Sequence, residues 1–154
     1  MINSSQLDKI KKLTDGFLKV LDIEFDSVSV GIDDEKTIKI ELETEEAPLL
    51  IGEKGETLLE MQSLLKKIFT TQTQEHLFVD VDINNYKERK KQHLRNLAQT
   101  VADRVSLTKE EEKLDPMFAW ERRVIHLTLA ERSDVETEST GQEPSRCVII
   151  KSSL

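Results

Sequence analysis

Apolar and polar positions in this chain recur with two different periods, and the switches between them mark out the elements. Leu7, Ile10, Leu13, Phe17, Leu18 and Leu21 come at three- and four-residue steps, which predicts one face of a helix. Ser4 or Ser5 offers an N-cap, and Asp8 completes a loose capping box with Ser5. Val28, Val30 and Ile32 then alternate, as do Ile38, Ile40 and Leu42 across the turn-like Asp33-Asp34-Glu35-Lys36. This pattern predicts two antiparallel strands with one buried face. The apolar stretch from Glu45 to Ile51 contains Pro48 and fits one or two helical turns. After Gly52-Glu53-Lys54-Gly55, a longer helix carries Leu58, Met61, Leu64, Leu65, Ile68 and Phe69 on its inner side. Leu77, Val79, Val81 and Ile83 predict a third strand. The order is helix, strand, strand, short helix, helix, strand, an open α/β sandwich over residues 1–83.

Asn84-Asn85 marks the boundary, with Asn85 as N-cap and Glu88 completing its box. The helix that follows runs to about Ser106 on Leu94, Leu97, Val101 and Val105. A charged link, Lys109 to Lys113, leads to a short strand at Lys113-Leu114-Asp115. Asp115-Pro116 then reads as a cap with proline at the first helical position. That helix continues through Trp120, Val124, Leu127 and either Thr128 or Ala130. Val135–Ser139 and Arg146–Lys151 predict strands around Thr140-Gly141-Gln142-Glu143-Pro144. The chain is therefore expected to be α+β, with two small α/β sandwich modules over residues 1–83 and 84–154.

Charge changes this picture. The 154 residues carry 30 acidic and 22 basic side chains, a net charge of −8 that argues against a polyanionic partner. Residues 1–80 hold 17 acids and 9 bases, however, whereas residues 81–154 hold 13 of each. Between Tyr86 and Arg104 stand Lys87, Arg89, Lys90, Lys91, Arg95 and Arg104 against only Glu88 and Asp103. This is either a basic working face or the solvated side of a helix. A lone cysteine, Cys147, excludes an internal disulfide and fits a reducing compartment. No apolar run reaches the roughly 18 residues of a membrane span, and the amphipathic N-terminus lacks the apolar block of a signal peptide. A cytoplasmic protein without membrane insertion is expected.

Two short motifs carry candidate chemistry. In Ile51-Gly52-Glu53-Lys54-Gly55, the glycines let the backbone approach another chain. The next helix adds free N–H groups and the positive end of its dipole, and Lys54 a mobile cation. Arg122 and His126, four apart on one helix face, can grip a phosphate and stack on a base. Read without their surroundings, the first is an ordinary turn. The second is then a partly buried histidine near a surface arginine paired to a carboxylate.

The surroundings add a resemblance. The element order with Gly-x-x-Gly before the third helix resembles the type II KH (K-homology) fold, which clamps about four single-stranded nucleotides across this loop. Glu53 departs from the basic residue often found there and weakens phosphate attraction. Leu114-Asp115-Pro116-Met117, Arg122, His126, Val135–Ser139, Gly141, Pro144, Arg146 and Val148–Ile150 resemble the R-three-H domain, named for its arginine and histidine. Phe118-Ala119-Trp120 departs from the small polar residue, proline and tyrosine common there, and Trp120 is expected in the core. Residues 5–151 together resemble the Jag/KhpB (SpoIIIJ-associated) family. The separate N-terminal domain and basic linker of longer members are not expected here.

The resemblance implies a single-stranded RNA-binding protein, with single-stranded DNA a further possible ligand, and a bacterial post-transcriptional regulator. Ile51, Gly52, Glu53, Lys54 and Gly55 would contact RNA from the first module, and Arg122, Arg123 and His126 from the second. Lys87, Lys90, Lys91 and Arg95 would attract phosphates. It further implies a small KH-domain protein as a partner. The alternative, motivated by Glu53 and the acidic first half, is a protein-interaction adaptor with weak or lost RNA binding.

Other chemistry finds no support. Asp80-x-Asp82-x-Asn84 begins like a calcium loop, but Asn85 and Lys91 stand where glycine and glutamate are required. His76, His93, His126 and Cys147 have no zinc-ligand spacing, and no GxxxxGK[ST] loop is present. No enzymatic activity, metal or cofactor is expected.

Overall fold

The computed structural model describes residues 4–33 and 37–153, and their contacts gather into two units, Met1–Lys87 and Glu88–Leu154. In the first unit α1 (Ser4–Val20), β1 (Ser27–Ile32), β2 (Thr37–Glu43), α2 (Ala47–Ile51), α3 (Glu56–Thr73) and β3 (Phe78–Ile83) follow in the expected order. A 3-10 turn, Glu53–Gly55, joins α2 to α3. Ser5 lies inside α1 and does not cap it; Asp34, Glu35 and Lys36 lie outside the described residues.

β2 is the central strand, antiparallel to β1 with Val30 opposite Ile40, and parallel to β3 with Ile40 opposite Val81. A parallel pair needs a crossover, which α2 and α3 provide. Ile38, Ile40 and Leu42 of β2 share a buried face with Val79, Val81 and Ile83 of β3. Against them pack Ile10 and Leu18 of α1 and Leu58, Met61, Leu65 and Phe69 of α3. Two expectations fail at the rim. Val28 and Ile32 of β1 are 44% and 40% exposed, because this edge strand lies beyond the helical cover and only Val30 joins the core. Leu64 of α3 is 47% exposed, on the solvent side of the arc drawn by Met61 and Leu65.

A polar lock closes the far end of this sheet. The buried Thr44 backbone N–H donates to Asn84 Oδ1 at 3.0 Å, and Asn84 Nδ2 donates back to the Thr44 carbonyl at 2.9 Å. Thr44 Oγ1 donates to the Glu24 carbonyl and accepts from the Glu46 N–H. Asn84 is thus committed to the sheet and is no free linker.

The second unit contains most of α4 (Tyr86–Thr108), then β4 (Glu112–Lys113), α5 (Ala119–Leu129), β5 (Val135–Thr140) and β6 (Cys147–Ser152). The sheet order is β4-β6-β5, antiparallel throughout. Leu94, Ala98, Val101, Ala102 and Val105 of α4 pack with Ile125 and Leu129 of α5 and with Val135, Val148 and Ile150. Asn85 does not cap α4. Asp82 Oδ1 instead accepts the Lys87 N–H at 3.0 Å, and Glu88 turns to Lys91 and Arg95.

The start of α5 also departs from expectation. The helix begins at Ala119 and not at Pro116, and the Glu121 carboxylate accepts the Phe118 N–H at 2.7 Å, which supplies the reciprocal half of a capping box. Its buried stripe is therefore Glu121, Arg122, Ile125 and Leu129, with Trp120 and Val124 half-buried against the core and Leu127 64% exposed. After α5, Arg132 bonds Asp103 of α4 at 2.5 Å and Asp134 at 2.6 Å. Its hydrogen bond holds the Asp134 carboxyl well below the usual carboxylate range. Cys147 is buried and its thiol faces the Thr140 carbonyl.

Each unit has its own core, so core truncations should register separately. Phe69→Ala should cost about 3–5 kcal/mol and Ile125→Ala about 2–5 kcal/mol. Amide hydrogen exchange of each variant should show protection lost mainly in the unit that contains the substitution. Equal loss throughout the chain would contradict two separate cores.

Candidate nucleic-acid interface

The turn between α2 and α3 is built on backbone that side chains disfavour. Gly52 sits at φ 73°, Lys54 at φ 53° and Gly55 at φ 93°. A Cβ on Gly52 would run into the Thr57 side chain, and one on Gly55 would lie 3.0 Å from the Tyr86 hydroxyl. Both glycines are thus demanded twice, by conformation and by close neighbours. Gly55 is buried beneath Tyr86 while Glu53 and Lys54 stand exposed, so the tip presents side chains and its base is fixed. Ile51 is half-buried against the core, and Leu49, two residues earlier, is 67% exposed. No side chain caps α3, whose first N–H groups follow directly on Gly55. Gly52→Asp would disturb the fold itself, so this turn is better probed through Glu53 and Lys54.

Each cation proposed along α4 already has a partner. Lys87 bonds Asp80 and, at 2.9 Å, Gln62 Oε1, which also accepts the Val81 N–H at the sheet edge. Lys90 lies 3.3 Å from Glu121, while Lys91 and Arg95 share Glu88 at 3.7 and 3.2 Å. Asp80 and Asp82 thereby meet the chain's own donors, Asp82 through the Lys87 and Ile83 N–H groups. Among the described residues no cluster of carboxylates, histidines or cysteines is arranged to hold a metal ion. Arg89 and His93, one turn apart on α4, are exposed and carry no ion pair among the described residues.

The Arg122 and His126 side chains are less open than their spacing suggests. Arg122 is 5% exposed: Nη1 donates to the Met117 carbonyl at 2.7 Å, and Nη2 lies 2.9 Å from Glu143 Oε1. His126 is half-buried, with Nδ1 2.7 Å from Thr137 Oγ1 and Nε2 2.7 Å from Ser139 Oγ. Burial, and then the Arg122 charge, push its pKa below the ordinary histidine value. Arg123, by contrast, is exposed with no ion pair among the described residues. The structure therefore gathers Arg122, His126, Thr137, Ser139 and Glu143 into one polar cluster.

Sequence reasoning missed Tyr86, Thr57, Glu143, Thr137 and Ser139. Only the last two had a signal: they alternate on β5, facing the side on which Val135 is buried.

Residues 92–152 match the R-three-H domain family. A protein described as RNA-binding protein KhpB from Clostridium symbiosum is 34% identical over 145 residues, which is 90% of this chain and 65% of the relative. Proteins of the same description from Bacillus subtilis and Lactiplantibacillus plantarum are each 34% identical. These matches cover 75% and 72% of this chain, and 56% and 34% of the relatives. The chain thus spans about a third to two thirds of these relatives' lengths. No helix among the described residues is long and apolar enough to cross a membrane. Residues 92–152 are an R-three-H domain, and the chain is a homologue of the KhpB proteins of the Jag family.

Proposed function

We propose that this chain binds single-stranded RNA as a cytoplasmic, non-enzymatic regulator, with residues 1–83 forming a type II KH module and residues 84–154 the R-three-H module. The observation that carries this reading is the Gly52–Gly55 turn. Two glycines at positive φ shape the backbone beside the start of α3, which no side chain caps. Exposed Lys54 stands at the tip, a combination suited to a sugar-phosphate backbone. The match to the R-three-H family and the RNA-binding description of the relatives support it. Arg123, with the exposed Arg89, adds cations that no carboxylate among the described residues neutralises. A small KH-domain protein remains the partner class that the family resemblance implies.

A polarisation titration with labelled oligouridylate at low salt tests the reading. The wild type should bind, with affinity that falls as salt rises. Lys54→Gln should weaken oligouridylate and oligoadenylate alike and flatten the salt slope by about 0.7. Glu53→Lys should strengthen both. Absence of any salt-sensitive binding, with a stable protein captured in its place, would favour the adaptor.

The cluster around Arg122 and His126 also predicts a pH effect. Because the folded His126 pKa lies below the unfolded value of about 6.5, the unfolded chain binds the proton more readily. This contribution to stability is complete above about pH 6.5 and declines as pH falls through the window below it. Proton NMR should place the His126 titration midpoint below that of a model histidine peptide. A midpoint at or above the model value would contradict the neutral, hydroxyl-bonded ring.

A further inference from the structure

A guanidinium as buried as that of Arg122 needs an anion, and the chain meets the need in an unusual way. The adjacent carboxylate, Glu121, is itself buried and fully engaged, with one oxygen on the Phe118 N–H and the other near Lys90. The counter-ion is Glu143, whose side chain is 57% exposed, against 7% for Arg122. Glu143 sits in the loop between β5 and β6, where every residue from Gly141 to Arg146 is exposed. That loop is tied at its ends. Gly141 takes φ 87°, and the Met117 N–H donates to the Arg146 carbonyl at 3.1 Å. Met117 is also the residue whose carbonyl holds Arg122 Nη1. The inner half of the guanidinium is therefore fixed by backbone, and its outer half is covered by a solvated carboxylate.

Resting on the RNA-binding reading above, we propose that Glu143 is a carboxylate lid on Arg122. It occupies the place on Nη2 that an RNA phosphate takes, so this unit binds by exchanging its own anion for that of the ligand. A carboxylate and a phosphodiester offer the same acceptor geometry to a guanidinium fork. When Glu143 leaves, Arg122 keeps its hold on Met117 and turns one free N–H edge toward the surface. The exposed Arg146, at the end of the same loop and with no ion pair among the described residues, adds a second cation. The exchange also fixes the salt response. Phosphate entry at Arg122 in the wild type frees a carboxylate that recruits a cation, so this contact releases almost no net counterion.

The test compares wild type, Glu143→Gln, Arg122→Gln and the double variant in titrations with labelled oligouridylate, each checked for an unchanged circular dichroism spectrum. Glu143→Gln should bind several-fold more tightly than wild type, with a salt slope about 0.7 steeper. Arg122→Gln should abolish that gain, so that the double variant binds like Arg122→Gln alone. An unchanged or weaker affinity in folded Glu143→Gln, where the wild type binds and depends on Lys54, would overturn the lid and leave the RNA-binding reading standing. No binding by any of the four proteins would overturn both. NMR of the wild type gives a reading that does not depend on variant folding. The amides of 142–145 and the Arg122 side-chain N–H should shift on addition of oligouridylate, and unmoved signals there beside shifts at Lys54 would refute the exchange.

Discussion

A cation removed from water has to be surrounded by acceptors, and Arg122 imposes that demand on the second unit. Its guanidinium joins the Met117 carbonyl before α5 to the Glu143 carboxylate in the β5–β6 loop. One helical turn later, His126 meets Thr137 and Ser139 on β5. One face of α5 therefore ties together two loops and a strand through polar contacts, while Ile125 and Leu129 on the same helix enter the apolar core. Replacing the arginine by an apolar residue would orphan a carbonyl and leave Glu143 without its cation, so a substitution here changes the architecture as well as any contact the guanidinium makes. The arginine and histidine hold the surface in shape before any ligand arrives.

The first unit solves a different problem with the same economy of means. Its turn is fixed at the base and leaves the Glu53 and Lys54 side chains exposed at the tip. Tyr86 closes over Gly55, Thr57 closes over Gly52, and the two glycines take up the positive φ values that side chains resist. Asn84, two residues before Tyr86, locks the last strand to Thr44. The segment that reads as a linker is thus the support of the turn. Its paired asparagines, at φ 50° and 56°, make the left-handed corner that delivers Tyr86 to its place.

What the sequence made legible follows from which forces are local. The alternation in Ile38–Leu42 and Val79–Ile83 and the helical spacing in α3 and α4 report burial directly, so element order and most of both cores could be read. Position within a sheet is not local: nothing in Val28-Val30-Ile32 says that its strand lies at an edge. Competition between caps is equally hidden. Asp115-Pro116 is a good helix start by composition, yet Glu121 reaching the Phe118 N–H sets the boundary at Ala119. In the same way, the candidate cations were legible as residues but not as pairs, because Asp80, Glu88, Glu121 and Glu143 are assigned to them only by the fold.

That pairing recasts the meaning of net charge. The −8 of the whole chain argued against a polyanion, and the run of cations on α4 argued back, but the second argument counts cations that the structure has mostly paired with carboxylates. Lys87, Lys90, Lys91 and Arg95 each face a carboxylate at a few ångströms, where the pair is nearly neutral to anything farther than a Debye length of about 8–10 Å. On the RNA-binding proposal, what a phosphate would meet is set by cations outside these pairs, among them Lys54 on the turn and Arg89, Arg123 and Arg146 in the second unit, and by those whose partners can be displaced. Displacement is easiest where the carboxylate is exposed and its cation is already held by something else. Glu143 on Arg122 satisfies both conditions, whereas Glu121, buried and bonded through both oxygens, satisfies neither.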